Sequence, residues 1–293
     1  MHVQGVSPET QAAILAWYDA RGRSLPFRGQ RDPYAILVSE VMAQQTQISR
    51  VSEQWATFMA TFPTVESLAD APTADVLRAW RGLGYNRRAL NLQRAARVIV
   101  SEHGGTVPPS LDDLLRLPGV GPYTARAVAA LAFGQAVGPV DTNVRRVLGR
   151  LVRADGATSV RELQSIADRS VPPARPAEWT HALMDIGATV CRPNAPRCAE
   201  CPAARWCRSA TRVTRRVRRG DAAAGASFAS TSRWLRGRIL DQLRDVPDEE
   251  WGAVTGPIGQ HEEMAVDNAL LTMESEGLIE RDLAEPGRAR LAR

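Results

Sequence analysis

A glycine-rich turn and the carboxylate that follows it are the residues of this sequence best suited to chemistry. The turn, LPGVG at residues 117–121, lies between two short predicted helices. Glycine lets a backbone approach another molecule closely, and N–H groups at a helix start attract anions, so Gly119, Val120 and Gly121 are predicted to bind a phosphate. Asp141 lies at the start of a further amphipathic helix. Together, the turn and the carboxylate indicate chemistry on nucleic acid.

A second carboxylate, Glu40, lies at the edge of the apolar stripe of a helix predicted to begin at Pro33. An acid in such a position is usually a solvated ion-pair partner, and spacing alone leaves a functional role as the less common alternative. Glu40 is therefore a candidate functional residue, and only its position on the helix supports this.

The turn Gly82-Leu83-Gly84-Tyr85 carries an apolar and an aromatic side chain between flexible residues. Exposed side chains of this kind can enter the base stack of a duplex and fill the space left by an extruded base. Packing of Leu83 and Tyr85 beneath the turn is the equal alternative.

All four cysteines fall within seventeen positions, with the spacing C-x6-C-x2-C-x5-C: Cys191, Cys198, Cys201 and Cys207. Disulfides require an oxidising compartment that nothing in the sequence indicates. A structural zinc ion is possible, and four thiolates without histidine suit a [4Fe-4S] cluster well. The loop therefore predicts an iron-sulfur cluster, with zinc as the alternative.

Composition narrows the remaining classes of function. The chain has 293 residues, 44% of them apolar, a formal charge of +5 and a pI near 9.5, which fits a globular protein with an anionic partner. No segment predicts a signal peptide or a membrane span, so we expect a cytoplasmic protein. We also expect it to be a monomer and to be nucleoid-associated. All 37 basic residues are arginine, because the sequence contains no lysine, and this excludes a lysine Schiff base.

The C-terminal part differs in pattern from the rest. Arginine, threonine and valine dominate residues 212–219, and a run of small residues follows. Beyond it, two helical patterns precede a possible two-stranded hairpin at 278–291. This order predicts a winged-helix-like module, with a plain helical cap as the alternative.

Several motifs together resemble the helix-hairpin-helix base-excision glycosylases, and within them the MutY-type adenine DNA glycosylases. The resemblance covers about residues 17–207. It rests on motifs in register, namely Arg23-x-Leu25-Pro26-Phe27-Arg28, VSEVMAQQTQ at 38–47, GLGY at 82–85, LPGVGPYTA at 117–125, Val140-Asp141-x-Asn143-Val144, Ala182-Leu183-Met184-Asp185-x-Gly187 and the cysteine loop.

The resemblance implies an all-α, two-lobed fold with a small winged-helix-like C-terminal module. The six-helix domain would span 23–137, the iron-sulfur domain 1–22 and 138–211, a basic linker 212–232 and the module 233–293.

Roles for individual residues also follow from the resemblance. Glu40 would protonate a flipped adenine and Asp141 would stabilise the positive sugar, as in two-carboxylate glycoside hydrolysis, while Tyr123 and Asn143 position them. The other implied roles are substrate binding by Arg23, Phe27, Arg28 and Asp185, opposite-strand contact by Gln45, Thr46, Leu83 and Tyr85, and cluster binding by the four cysteines.

The implied activity is monofunctional removal of adenine opposite 8-oxoguanine or guanine in double-stranded DNA. Tyr123 stands where the lyase branch carries lysine. The alternatives are a G:T or G:U mismatch glycosylase of the same superfamily and a non-catalytic DNA-binding protein on the same scaffold. Two departures stand out: Phe27 replaces the more usual tryptophan, and the short helical tail cannot be the Nudix-like domain of many relatives.

Overall fold

The computed structural model describes residues 5–153, 159–210 and 227–293, which leaves most of the predicted linker outside the described residues. These residues form thirteen α-helices and one small sheet. The helices before residue 210 are α1 Pro8–Arg21, α2 Pro33–Ala43, α3 Ile48–Thr61, α4 Val65–Asp70, α5 Thr73–Ala79, α6 Arg87–His103, α7 Leu111–Arg116, α8 Pro122–Phe133, α9 Thr142–Val152, α10 Val160–Arg169 and α11 Pro176–Asp185. The predominantly helical fold expected from the sequence is confirmed.

The starts of several helices follow from short polar side chains. Ser7 accepts a hydrogen bond from the third residue of α1, and Thr64 and Ser67 cap α4 reciprocally. Asp141 precedes α9, and its carboxylate accepts from the backbone N–H of Val144. Each cap satisfies N–H groups that have no partner inside the helix.

Contacts divide the described residues into two compact units, which are described separately below. The first unit contains 5–40, 107–116, 120–153 and 159–210, and the second contains 41–106, 117–119 and 227–293. The predicted domains, 23–137, 1–22 with 138–211, and 233–293, group the residues differently. Their boundaries stay a prediction.

The core of the first unit lies among α1, α9, α10 and α11. On α9 the spacing of apolar residues predicts one buried face, and Val144, Val147, Leu148 and Leu151 are all buried. Trp179 of α11 is buried in the same core. This packing fixes the start of α9, where Asp141 lies.

The second unit is organised around α6, against which α4 and α5 pack. Its largest buried side chains include Phe58 and Trp80, whose rings meet edge to face at 5.8 Å. Such an aromatic pair adds specific geometry to apolar burial.

The C-terminal module belongs to the second unit. It consists of α12 Ser232–Leu243, β1 Gly252–Ala253, α13 Glu263–Ser275, β2 Ile279–Arg281 and β3 Arg288–Leu291. The sheet is antiparallel with the order β1-β3-β2, and Ile279 pairs with Leu291. The expected hairpin is present, whereas β1 was not predicted, because two residues show no periodicity. The winged-helix interpretation stays a prediction.

Arg244, at the end of α12, ties this module to α5 and α6. It is 6% exposed, and it donates to the carbonyl of Leu77 at 2.9 Å and to Oδ1 of Asn86 at 2.9 Å. Its third contact is with Asp241, at 2.6 Å. A cation with three partners inside the unit makes the module an integral part of it.

None of the described helices has both the length and the apolarity needed to cross a membrane.

We expect Arg244→Met to lower the free energy of unfolding by about 2–4 kcal/mol, because the Leu77 carbonyl and Asn86 would lose their buried donor. Urea unfolding followed by tryptophan fluorescence measures this. The matched control is Arg81→Met, which removes an exposed ion pair with Asp245 and should change stability by no more than about 0.5 kcal/mol. Equal effects of the two changes would contradict the assignment.

Candidate active site

Glu40 lies near the end of α2 and is 9% exposed, so the expectation of a solvated ion-pair partner is wrong. The Tyr123 hydroxyl, at the start of α8, donates a hydrogen bond to the Glu40 carboxylate. Atom Oε2 of Glu40 is buried and has no hydrogen-bond partner among the described residues. A buried carboxyl oxygen without a partner is costly unless the group is protonated or a ligand supplies the partner.

Burial raises the pKa of Glu40 to about 7, and the charge of Asp141 acts in the same direction. The hydrogen bond from Tyr123 and the charge of Arg28 oppose this rise. Burial also raises the pKa of Tyr123 well above its ordinary value, so this phenol stays protonated. Near neutral pH, Glu40 can therefore hold a proton and release it.

Glu40 lines a cleft of about 570 Å³ whose walls include aromatic side chains. Tyr18, Phe27 and His181 line it, and the rings of Tyr18 and His181 lie 6.2 Å apart. Burial lowers the pKa of His181 to about 3, aided by the charge of Arg28, so this ring is neutral at physiological pH. Tyr18 and His181 were not predicted from the sequence, because single aromatic residues on helices carry no distinctive spacing.

Asp185, at the end of α11, is fully buried and binds two arginines. Arg28 donates to Oδ2 at 2.7 Å and to Oδ1 at 2.6 Å, and Arg23 donates to the same carboxylate through Nε at 2.6 Å and through its backbone N–H at 2.8 Å. Burial alone would raise the pKa of Asp185, but these hydrogen bonds and charges hold it below its ordinary value. Asp185 thus fixes the loop that carries both arginines and Phe27.

Asp141 is held in place by two hydrogen bonds. Oδ1 accepts from the Val144 N–H at 2.6 Å, and Oδ2 accepts from Nδ2 of Asn143 at 3.0 Å. These two bonds fix the orientation of the carboxylate. Asn143 in turn accepts from Arg146 at 2.7 Å.

Arg146 connects this pair to the cysteine loop. It donates to the carbonyl of Gly187 at 2.6 Å and, through Nε, to the carbonyl of Cys191 at 2.6 Å. A Cβ on Gly187 would lie 2.5 Å from Cβ of Asn143, so only glycine fits there. Arg146 was not predicted, because its partners are main-chain carbonyls that leave no mark in the sequence.

The four cysteines are free thiols and line one pocket. Burial raises the pKa of Cys201 to about 11, and the neighbouring cysteines act in the same direction. Arg150 places Nη1 3.5 Å from Sγ of Cys191. No three His, Cys, Asp or Glu side chains in the described ranges are arranged as a preformed metal site. The donor set nevertheless fits a thiolate-bound metal or cluster, because four sulfurs with no other ligand type converge on one pocket.

The predicted phosphate-binding turn has the backbone that such contact requires. Gly119 has a φ of 77°, and a Cβ there would lie 2.7 Å from Cβ of Asn91. The side chain of Val120 is buried, so only its backbone could contact a phosphate. A Cβ on Gly121 would meet nothing within 4 Å. Phosphate binding by these three residues stays a prediction.

The residues predicted to contact the opposite strand lie in the second unit. Leu83 is 3% exposed, so of the two alternatives left open by the sequence, packing beneath the turn is the one found and the exposed wedge is not. Gln45 is exposed, Thr46 and Tyr85 are partly exposed, and Gln45 and Tyr85 have φ values of 55° and 47°. These left-handed conformations cost energy in residues other than glycine and require support from their surroundings.

Arg88 of α6 provides that support. Its guanidinium donates to the carbonyls of Val41 and Met42 at 2.8 Å each, and to the Thr46 hydroxyl at 2.8 Å. It also donates to the carbonyls of Leu83 at 3.1 Å and of Gly84 at 3.0 Å. One buried cation therefore joins the end of α2 to the turn of residues 82–85.

Known proteins share both the sequence and the fold. The model of the HhH-GPD superfamily base excision DNA repair proteins matches residues 38–173. An adenine DNA glycosylase of Mycolicibacterium smegmatis is 43% identical over 277 residues, which are 92% of each chain. A thermostable thymine-DNA glycosylase has a TM-score of 0.65 at 31% identity over 68% of this chain and 94% of its own. Endonuclease III in a non-covalent DNA complex has a TM-score of 0.59 at 26% identity, covering 68% and 92%.

We expect Asp185→Asn to lower the free energy of unfolding at pH 7 by about 3 kcal/mol, because two arginines would lose their buried counter-charge. A depressed carboxyl pKa adds stability above its unfolded value and loses it as the pH falls through the folded value. The difference between wild type and variant should therefore shrink below about pH 4.

Unfolding by urea at several pH values measures this difference. The control is Asp19→Asn in the same unit, which removes an exposed pair with Arg175 and should leave the unfolding midpoint nearly unchanged. A pH-independent loss for Asp185→Asn would show that its charge is not what matters.

Proposed function

Since the chain belongs to the adenine DNA glycosylases, base-excision repair enzymes that remove adenine from DNA, we propose that its substrate is adenine paired with 8-oxoguanine or guanine and that Glu40 is its general acid. The observation that carries this proposal is the buried Glu40 carboxyl, which has a free Oε2, a pKa near 7 and a cleft beside it. An acid with a pKa near the working pH is suited to protonate a leaving group.

In the proposed reaction a nucleotide is turned out of double-stranded DNA and its adenine enters the cleft beside Phe27. Glu40 donates its proton to the adenine ring, and the bond between the ring and the sugar breaks with both electrons leaving on the base. Arg28 and Phe27 orient the base, while Arg23 and Asp185 hold that loop in place. Tyr123 keeps the Glu40 carboxyl correctly placed by its hydrogen bond.

In this proposal Glu40 donates a proton, whereas Asp141 stabilises positive charge on the sugar. The sugar becomes positively charged as the base leaves, and the ionised Asp141, held by Asn143 and the Val144 N–H, stabilises that charge. Water then attacks the sugar, and the reaction ends as hydrolysis. A covalent imine with lysine is excluded, because the sequence contains none.

Contacts with the opposite strand complete the proposal. Gly119, Val120 and Gly121 bind a backbone phosphate, and Gln45, Thr46 and Tyr85 face the base opposite the adenine, whereas Leu83 supports their turn from below. The left-handed Gln45 and Tyr85 and the buried Arg88 support this, since strained conformations persist where the surrounding structure enforces them. The expected cytoplasmic, monomeric state stays a prediction.

Incubation of the protein with four duplexes, followed by alkali and analysis of strand breaks, tests the substrate. Breaks at A:8-oxoguanine and A:G support the proposal. Breaks at T:G or U:G would favour mismatch activity, which the similarity to a thymine-DNA glycosylase makes the second candidate. No breaks in any duplex would favour a non-catalytic DNA-binding protein.

We expect Glu40→Gln to bind an A:8-oxoguanine duplex and to lose at least about 10²-fold in excision rate, because an amide cannot donate the proton. In the wild type, only the protonated form of Glu40 acts, so the single-turnover rate should fall as the pH rises through about 7. Quenched-flow measurement from pH 5 to 9 records this profile.

The matched control is Glu9→Gln, a substitution of an exposed acid in the first turn of α1, which should keep the wild-type rate and profile. A wild-type rate that rises through pH 7 would contradict the assignment of Glu40 as the acid.

We also propose that the four cysteines bind a [4Fe-4S] cluster. Four free thiols line one pocket, and no histidine or carboxylate is among the described residues that line it, which suits such a cluster. When bound, the cluster would cross-link residues 191–207, and the proposed reaction has no step on it.

The purified protein should therefore be brown and contain about four iron atoms per chain. Cys198→Ser should lower the iron content and the thermal stability, while the pH at which the remaining excision activity falls stays the same. Elemental analysis for iron and zinc measures the metal content of the wild type and of Cys198→Ser. One zinc per chain without iron would overturn the cluster.

A further inference from the structure

The second unit contains a second cleft, and the function proposed above uses only Gln45 and Tyr85 of its lining. Its volume is about 490 Å³. It lies between the start of α6, the Gln44–Gln45 turn and the start of α12, so the C-terminal module forms one wall. The residues that line it are Gln44, Gln45, Tyr85, Asn86, Arg87, Arg88, Asn91, Ser232, Arg233, Arg236, Gly237, Leu240 and Leu278.

The charged side chains that line this cleft are all positive. Four arginines line it, and no aspartate or glutamate is among its lining residues. Glu276, outside the cleft, pairs with Arg236 and more distantly with Arg87. Four amides and the hydroxyls of Tyr85 and Ser232 supply the remaining polar groups. A cleft with this lining suits an anion that accepts several hydrogen bonds.

Arg233 is the key cation because it has no carboxylate partner among the described residues. Its guanidinium carbon lies 3.9 Å from the centroid of the Tyr85 ring, and its Nη1 donates to the Tyr85 hydroxyl at 2.6 Å. No other hydrogen bond of its guanidinium occurs within the described ranges, so its remaining N–H groups can bind a ligand. Arg233 also fixes the ring of Tyr85, whose backbone is left-handed.

We propose that this cleft binds a phosphodiester of the DNA strand opposite the target adenine. The inference rests on the proposed function, because Gln45 and Tyr85 are the residues assigned to that strand. A guanidinium can make two parallel hydrogen bonds to a phosphate, and Arg87 lies on the other wall to neutralise it further. The C-terminal module thus adds a phosphate contact next to the base that is read.

Deletion of the module cannot test this inference, because Arg244 holds the module inside the second unit. Substitutions in the full chain are needed. Arg233→Ala removes the charge and the contact with Tyr85, whereas Arg233→Gln removes the charge and keeps a donor for the Tyr85 hydroxyl. The matched control is Arg238→Ala on the same helix, which is exposed, pairs with Asp241 and does not line the cleft.

Binding is measured by fluorescence anisotropy on an A:8-oxoguanine duplex in which fluorine at C2′ of the target adenosine resists cleavage. Both Arg233 variants should bind about tenfold more weakly. The slope of log affinity against log salt should fall by about 0.9, the value for one phosphate contact. Arg238→Ala should match the wild type. An unchanged salt slope in both Arg233 variants would overturn the inference.

A scan of neutral methylphosphonate linkages identifies the strand. One or two substitutions near 8-oxoguanine in the opposite strand should weaken the wild type about tenfold and weaken Arg233→Gln no further. The inference is wrong if Arg233→Gln instead cancels the effect of methylphosphonates in the adenine strand. It is also wrong if the Arg233 variants lose the preference for 8-oxoguanine over guanine with no change in salt slope. Adenine excision by the wild type is measured separately. If the wild type excises no adenine, the proposed function is wrong. If it excises adenine but the effects of methylphosphonate and Arg233→Gln simply add, only the phosphate-binding role of the cleft is wrong.

Discussion

The removal of the Glu40 carboxyl from water is the constraint on which the candidate site depends. Burial disfavours the ionised form, and the nearby charge of Asp141 adds to this effect. The Asp141 carboxylate instead accepts two hydrogen bonds, one at each oxygen. The two acids therefore have different surroundings, which is the arrangement that paired acid and electrostatic roles use.

The exclusive use of arginine as the basic residue has structural consequences as well as chemical ones. Arg88, Arg146 and Arg244 each donate to main-chain carbonyls in the last turn of a helix or in the segment that follows a helix. A planar guanidinium has five donors in fixed directions, so one side chain can join several chain segments, whereas an ammonium group offers three. The buried cations of this protein therefore act as cross-links between turns and helix ends.

The sequence allowed the helical fold, the α9 core face and the C-terminal hairpin to be predicted, since each has a regular period or a recognisable cap. The burial of Glu40 could not be predicted, because a residue at the edge of an apolar stripe is buried or exposed according to which distant segments of the chain pack against it. The sequence left the exposure of Leu83 open for the same reason. Tyr18, His181 and Arg146 escaped prediction because they act through partners distant in sequence.

The position of the cysteine loop follows from the hydrogen bonds that begin at Asp141. Asn143 bonds to Asp141, Arg146 bonds to Asn143, and the same guanidinium bonds to the carbonyl of Cys191. Every link is a side chain of α9 or a carbonyl of the segment after α11. The cysteine loop and the Asp141 carboxylate are thereby joined by direct contacts. The cysteine loop, which has no step in the proposed reaction, can in this way help to fix the position of Asp141 at the start of α9.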